Sequence, residues 1–365
     1  MIVYMNEACR SIALSPRQSR EPGRKSGVKR EVAVVVVTHT YVQPGDPEVL
    51  AIEQAGHSVR FAHAPLGHIW TVEETVALLA GATAVVAGPE AYDERVLPRV
   101  PGLRLICKVG AGYDTVDVAA ATAHGVAVCT GAGTNSGAVA EFAVTMMLVL
   151  ARHILRFDRN VRSGKWQERP AGAPVEGAVA GIIGTGSIGR NAARRVAGLG
   201  MKVICYDVAP DAAWAAEQDA AYVDMPTLLK EADYVLIHAA KTGSSTGLIG
   251  RDEIAQMKRT AYIINTARGG IVDENALYEA LVEGRIAGAG IDVFETEPPR
   301  GGSARFLALD NVVLSPHVAG GSENARRMMK EMVGRNVVSA LSGTAPYHCL
   351  NPQVLPVAGA ARAAG

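Results

Sequence analysis

An excess of charge of either sign is missing from this 365-residue chain, in which 36 Lys and Arg balance 36 Asp and Glu. Nucleic acid and anionic membrane surfaces are therefore not expected as partners. Long hydrophobic runs are missing too. A membrane span needs about 18–20 consecutive apolar residues, and the densest run, 138–150, is interrupted by Glu141 and reads as a buried helix. Cysteine is scarce: Cys9, Cys107, Cys129, Cys205 and Cys349 form no C-x-x-C pair. That spacing argues against a disulfide framework or a metal site and for reduced, mostly buried thiols in a cytoplasmic protein. Residues 1–30 lack the apolar core, roughly 7–15 residues long, of a secretory signal. With seven basic side chains against one acid between Arg10 and Arg30, they read as a disordered tail, an upstream start or a basic docking arm.

What is present is alternation. The length allows about two domains of roughly 100–200 residues each, and 48% apolar residues suffice for two cores. Strands are expected at 31–38, 58–62, 83–87, 103–109 and 126–129, with helices at 47–56, 71–80 and 116–124. A single long helix is expected over 136–163, capped by Thr134 or Asn135 and stopped at Gly164. Strands follow at 179–183, 202–206, 234–238, 261–265, 288–292 and 312–314, with helices at 187–199, 226–231, 274–283 and 322–341. Such alternation builds parallel sheets covered on both faces. The fold class is α/β, with two Rossmann-like or flavodoxin-like domains and a cleft between them. The expected partition is a substrate domain over 31–133 and 318–350, a nucleotide domain over 134–317 and a tail over 351–365.

The most informative stretch is Gly181-Ile-Ile-Gly184-Thr-Gly186-Ser187-Ile188-Gly189, an apolar strand entering a G-x-G-x-x-G turn. Gly184 serves the tight turn, Gly186 admits a pyrophosphate and Gly189 permits close helix–strand packing. A helix starting near Ser187 offers unpaired N–H groups and a partial positive charge to phosphates. Asp207, 18 residues beyond Gly189, ends the next strand, where a carboxylate accepts hydrogen bonds from ribose hydroxyls and repels a 2′-phosphate. That favours NAD over NADP.

Three more polar residues stand at strand ends of the same domain. Arg268 follows Ile263-Ile-Asn265-Thr266-Ala267, Glu297 lies in Asp292-Val-Phe-Glu-Thr-Glu297-Pro298, and His317 in Ser315-Pro-His317-Val. Each alone is more often structural or solvated than functional. Together they make an acid–base pair and an anion clamp at the sheet edge where ligands of open α/β folds bind. Hydride transfer from an alcohol carbon needs such a set, a base near neutral pH and a cation that orients the substrate.

From about residue 31 to 350 the chain resembles the D-isomer-specific 2-hydroxyacid dehydrogenases, through Asn265-Thr-Ala-Arg-Gly-Gly-Ile-Val-Asp273 and Asp292-Val-Phe-Glu-Thr-Glu-Pro298. The resemblance implies Arg268, Glu297 and His317 as the catalytic set. It also implies Val109, Gly110, Ala111 and Gly112 as the loop meeting the substrate carboxylate, together with Arg268. Asp292 would hold the nicotinamide carboxamide, while His238, Ala239, Thr266 and Ala267 line the cofactor cleft. No metal is implied, and a homodimer is. The Thr-Ala-Arg-Gly-Gly segment is similar to that of phosphoglycerate dehydrogenases. Those enzymes carry a basic residue after a first-domain strand, however, and the strand here ends Val86-Ala-Gly88-Pro-Glu90. Glyoxylate, hydroxypyruvate and 3-phosphoglycerate all stay open as substrates. Formate dehydrogenases pair their His with Gln, so Glu297 argues against that activity. At His238-Ala-Ala240-Lys241, relatives often have Pro and an apolar residue in place of Ala240 and Lys241, leaving Lys241 as a solvated residue or one at the cofactor mouth. An NAD(H)-sensing corepressor-like protein is the alternative of another class.

Overall fold

The computed structural model describes residues 32–64, 68 and 70–355. The expectations for 1–30, for Cys9 and for 356–365 lie outside the described residues.

The first sheet is built from β1 (Val34–Val37), β2 (Ser58–Phe61), β3 (Ala84–Ala87), β4 (Leu105–Lys108) and β5 (Ala127–Cys129), in the order β2-β1-β3-β4-β5. The second holds β6 (Val179–Ile183), β7 (Lys202–Tyr206), β8 (Ala220–Tyr222), β9 (Tyr234–Ile237), β10 (Tyr262–Asn265), β11 (Gly288–Ile291) and β12 (Val312–Leu314), in the order β12-β11-β10-β9-β6-β7-β8. Every strand pair is parallel. Central strands buried on both faces read as continuous apolar runs, as in Val34-Val-Val-Val37 and Tyr234-Val-Leu-Ile237.

Each sheet separates two cores. Along β9, Tyr234 and Leu236 join one apolar cluster while Val235 and Ile237 join the other, the period of two that a strand imposes. Along β1, Val35 and Val37 face one cluster and Val36 the opposite one. Helix α1 (Pro47–Gln54) and the final helix α11 (Glu323–Leu341) cover one face of the first sheet. Ala325, Met329, Val333 and Val337, spaced one helical turn apart, place α11 in that core. Its return to the first sheet agrees with the sequence. Helices α2 (Val72–Leu78) and α3 (Val118–Ala123) pack into the cluster on the opposite face of the first sheet, α2 opened by a capping box between Thr71 and Glu74 and α3 by Asp117.

Four expectations need correction. The helix over 136–163 is two helices, α4 (Ser136–Ala151) and α5 (Ile154–Arg162), bent by 59°. Ala173 N donates to the Ala151 carbonyl at 2.8 Å, so the returning chain takes the bond that helical continuation needs, and His153 turns left-handed at φ 52°. Neither proposed cap accepts an N–H of α4 with its side chain: Asn135 stands at the cap without a side-chain bond, and Thr134 Oγ1 donates to Gly131 O at 2.5 Å. The first strand begins at Val34, later than expected. Residues 351–355 are no tail at their start, because Asn351 is buried and bonds Val128 N, Val126 O and Thr122 Oγ1.

Short elements escaped the pattern: α7 (Ala212–Glu217), β8 and α9 (Arg251–Ala255). The remaining helices are α6 (Ser187–Gly198), α8 (Met225–Glu231) and α10 (Glu274–Val282). Among the described residues no single helix is long and apolar enough to cross a membrane.

Candidate active site

In the second sheet the chain order reverses between β6 and β9, the switch point at which such folds bind ligands. The glycine turn stands there. Gly184 has φ +89°, and a side chain on it would press on the backbone of His238 and Ala239, 2.7 Å from Ala239 N. Gly189 sits so close that an added carbon would be 1.9 Å from Gly184 O. Gly186 has nothing within 4 Å of that position. Gly184 thus stands in a tight left-handed turn, Gly189 packs closely against it, and Gly186 leaves open space.

Gly186 is also the cap residue of α6, so Ser187, Ile188 and Gly189 form its first turn with N–H groups that lack helical partners. Asp207 closes β7. Its Oδ2 accepts from Thr185 N at 2.6 Å and Thr185 Oγ1 at 3.0 Å, and Oδ1 from Ala209 N at 2.9 Å. Burial would raise the pKa of Asp207, but these hydrogen bonds outweigh it and hold the carboxyl below its usual range. The acid is thus a fixed anion beside the turn.

Across from the turn, the C-terminal ends of β9 and β10 present buried polar atoms without partners: both ring nitrogens of His238 and the Thr266 hydroxyl. Burial pushes the His238 imidazole down to about 4, so it is neutral. Ala239 and Ala267 border the same edges. Buried orphans of this kind mark a place that a ligand completes. Together with the glycine cradle and Asp207, they fit a dinucleotide.

The second half of the site begins one strand over. Arg268 leaves β10 in a turn braced by Asn265, whose Oδ1 accepts from Ala267 N at 3.0 Å and whose Nδ2 donates to Arg268 O at 3.1 Å. Lys241 is exposed, and its Nζ donates to Gly269 O at 2.8 Å in the turn that carries Arg268. The guanidinium donates from Nη1 to Ala267 O at 2.7 Å and from Nε to Asp114 Oδ2 at 2.5 Å. Nη2 lies so near Gly112 that a side chain there would overlap it, at 1.7 Å. Gly112, the last residue of the loop Val109-Gly110-Ala111-Gly112, therefore lies against Arg268. Gly110, at φ +112°, is held by Gly131 N donating to its carbonyl at 2.7 Å.

His317 Nδ1 donates to Glu297 Oε2 at 2.7 Å, while Glu297 Oε1 accepts from Phe294 N at 3.1 Å. The bond to Glu297 raises the imidazole above its ordinary 6.5, against burial and the charge of Arg268, with further support from Glu297 and Asp292 charges. Burial works to raise Glu297, yet the bond and charge of His317, the Phe294 N–H and Arg268 together lower it. With Nδ1 committed to the carboxylate, Nε2 is the ring nitrogen left to exchange a proton. Arg268 thus acts on both partners, and the three candidates form one electrostatic group.

Asp292 is wholly buried and organises the segment that carries His317. It accepts from Ser315 Oγ at 2.6 Å, Val318 N at 2.9 Å and Ala319 N at 3.0 Å, and its carbonyl accepts from His317 N at 2.8 Å. These bonds hold His317 in the left-handed region, φ 53°, which a non-glycine residue adopts only under constraint.

Sequence reasoning missed two neighbours. Asp114 pairs with Arg268, and its place two residues beyond Gly112 was the available signal. Lys108 at the end of β4 is buried, and its ammonium donates to Gly88 O and, at 3.2 Å, to Thr115 Oγ1. Burial pushes it down to about 8, opposed by Glu90 and Asp114 and aided by Arg268. β3, which ends at Ala87, carries no base, and Lys108 stands at the end of the adjacent strand β4. Register between β3 and β4 brings Ala87 and Lys108 side by side.

Residues 144–319 match the family model of the D-isomer specific 2-hydroxyacid dehydrogenase NAD binding domain. Over 270 residues the chain is 39% identical to a glyoxylate reductase of Korarchaeum cryptofilum, covering 73% of this chain and 81% of that protein. This chain belongs to the D-isomer-specific 2-hydroxyacid dehydrogenases. It is 42% identical over 228 residues to a hydroxypyruvate reductase of Thermotoga maritima, covering 62% and 73% of the two chains. A solved glyoxylate reductase from Paecilomyes thermophila superposes with a TM-score of 0.78 at 27% identity, over 88% of this chain and 99% of that one. As a 2-hydroxyacid dehydrogenase the protein is an NAD-dependent oxidoreductase, and its two parallel-sheet layers are those of the family.

Proposed function

We propose that this dehydrogenase reduces a small 2-keto acid, glyoxylate or hydroxypyruvate, with NADH and runs in reverse on the D-2-hydroxy acid. The observation that carries the reading is the 2.7 Å bond between His317 and Glu297, with Arg268 acting electrostatically on both. Bound NADH supplies the hydride delivered to C2. Arg268 and the N–H groups of Gly110 to Gly112 bind the substrate carboxylate and turn the C2 oxygen toward His317. His317 Nε2 gives its proton to that oxygen during reduction and takes it back during oxidation. Glu297 stabilises the imidazolium and fixes the tautomer, and Asp292 sets the ring's place.

On the nucleotide side, the first turn of α6 meets the pyrophosphate, Asp207 the adenosine ribose, and His238, Ala239, Thr266, Ala267 and Asp292 the remaining cleft. The substrate part comprises 31–133 and 318–350, and the nucleotide part 134–317; the separate sheets and the return of α11 support that division.

Loss of NADH absorbance with glyoxylate, hydroxypyruvate, phosphohydroxypyruvate and pyruvate tests the reading. Turnover of the first two is expected. NADH binding without turnover of any of the four would favour an NAD(H) sensor instead. Preference for phosphohydroxypyruvate would assign Lys108 to a phosphate.

Relatives support a soluble protein acting on small acids, and we infer a cytoplasmic homodimer. Its contact is sought on α5. Most apolar side chains of α4 are inside, while Ile154, Leu155, Val161 and Trp166 are 48–63% exposed on and beyond α5.

A further inference from the structure

The thiols lie outside the catalytic chemistry, and two of them meet. Cys129, the last residue of β5, and Cys349, beyond α11, oppose each other in an isolated antiparallel bridge. Leu350 N donates to Val128 O at 2.8 Å and Thr130 N to His348 O at 3.2 Å. Both backbone bonds flank the cysteine pair and neither joins its members. This is the non-hydrogen-bonded register, in which facing α-carbons approach to about 4.5 Å. A disulfide requires about 4.4–6.8 Å. The Cys349 thiol donates to Asn351 Oδ1 at 3.7 Å, within the same segment that bonds β5.

We propose that Cys129 and Cys349 form a reversible dithiol–disulfide pair whose oxidant is a low-molecular-weight disulfide such as oxidised glutathione. Exposure sets the order of events: Cys129 is fully buried, and Cys349 is partly exposed. The neighbouring Cys129 thiol and nearby backbone N–H groups lower the Cys349 thiol against the effect of burial, whereas Cys129 is raised. The Cys349 thiolate attacks one sulfur of the small disulfide, its S–S bond breaks, and one small thiol leaves with the proton Cys349 gave up. Cys129 then attacks Cys349 Sγ, loses its proton and expels the second small thiol. Two protein thiols are oxidised to one disulfide, and one small disulfide is reduced to two thiols.

Cys107 is the competing partner, beside Cys129 on the adjacent parallel strand. It is fully buried, with its thiol pushed up to about 12 by burial, and it is Cys129, not Cys107, that faces Cys349 across the bridge. Among the described residues no cluster of His, Cys, Asp and Glu could hold a metal ion. The bond would join the place where the chain leaves the first sheet to the place where it has returned, closing a loop over 130–348. It would also fasten the segment in which Asn351 bonds Val126 and Val128.

The test equilibrates the full chain with oxidised or reduced glutathione, alkylates free thiols and maps the peptides. Expected is a linked Cys129–Cys349 peptide pair with Cys107 and Cys205 alkylated, and a Tm higher by about 5 °C from loop closure, both reversed by dithiothreitol. Cys349→Ser should remove the link and the Tm shift. Cys129→Ala should leave Cys349 carrying glutathione. Full alkylation of Cys129 and Cys349 under oxidised glutathione, a link to Cys107, or a lasting glutathione adduct on wild-type Cys349 would each overturn the proposal.

Discussion

In the proposed mechanism the charge state of His317 sets which direction the site can catalyse. Its pKa is raised above 6.5 chiefly by the bond to Glu297. Reduction uses the protonated ring, so its rate should hold at low pH and fall as pH climbs through the raised pKa. Oxidation uses the neutral ring and should show the opposite limb. Glu297→Gln removes the main raising influence, and the alkaline limb of kcat/KM for reduction should move to lower pH; an unmoved limb would contradict the assigned role. Asp207 makes a second test. Removing a charged hydrogen-bond acceptor costs about 1.5–3 kcal/mol, or about 10–100-fold. Asp207→Ala should therefore weaken NADH binding by that factor in a fluorescence titration and narrow the preference over NADPH. Equal NADH affinity would dissociate Asp207 from the ribose.

At the scale of elements, the structure depends on a few close approaches. Gly334 of α11 meets Glu48 of α1, where an added carbon would lie 2.5 Å from Glu48 Cβ. Gly334→Val should force the helices apart and cost about 1–3 kcal/mol, read as a lower denaturation midpoint with the same slope; full stability would show that α1 shifts freely. Long β-branched runs and cap residues made most elements legible, since Val34–Val37 and Tyr234–Ile237 are apolar throughout. The break after Ala151 was not legible. It is set by Ala173, over twenty positions further along the chain, through a single backbone bond. Strand β8 has three residues, too few to show a period.

For the whole molecule, two parallel sheets bring Gly112 and Asp114 from one lobe against Arg268 from the other. The catalytic candidates were legible because strand ends and their local motifs lie within one sheet. Asp114 and Lys108 were not, because their importance comes from pairing across sheets or strands, which no local spacing encodes. Assembly is a further prediction at this scale: Leu155→Asp on exposed α5 should convert a dimer to monomers in light scattering, and an unchanged mass would exclude α5 from the contact. The most direct measurement of the central claim is NADH oxidation by wild-type protein and His317→Ala with glyoxylate or hydroxypyruvate. Wild-type turnover is expected, with a variant that binds NADH equally well but turns over about two to four orders of magnitude more slowly. Equal turnover by the two proteins would contradict the claim.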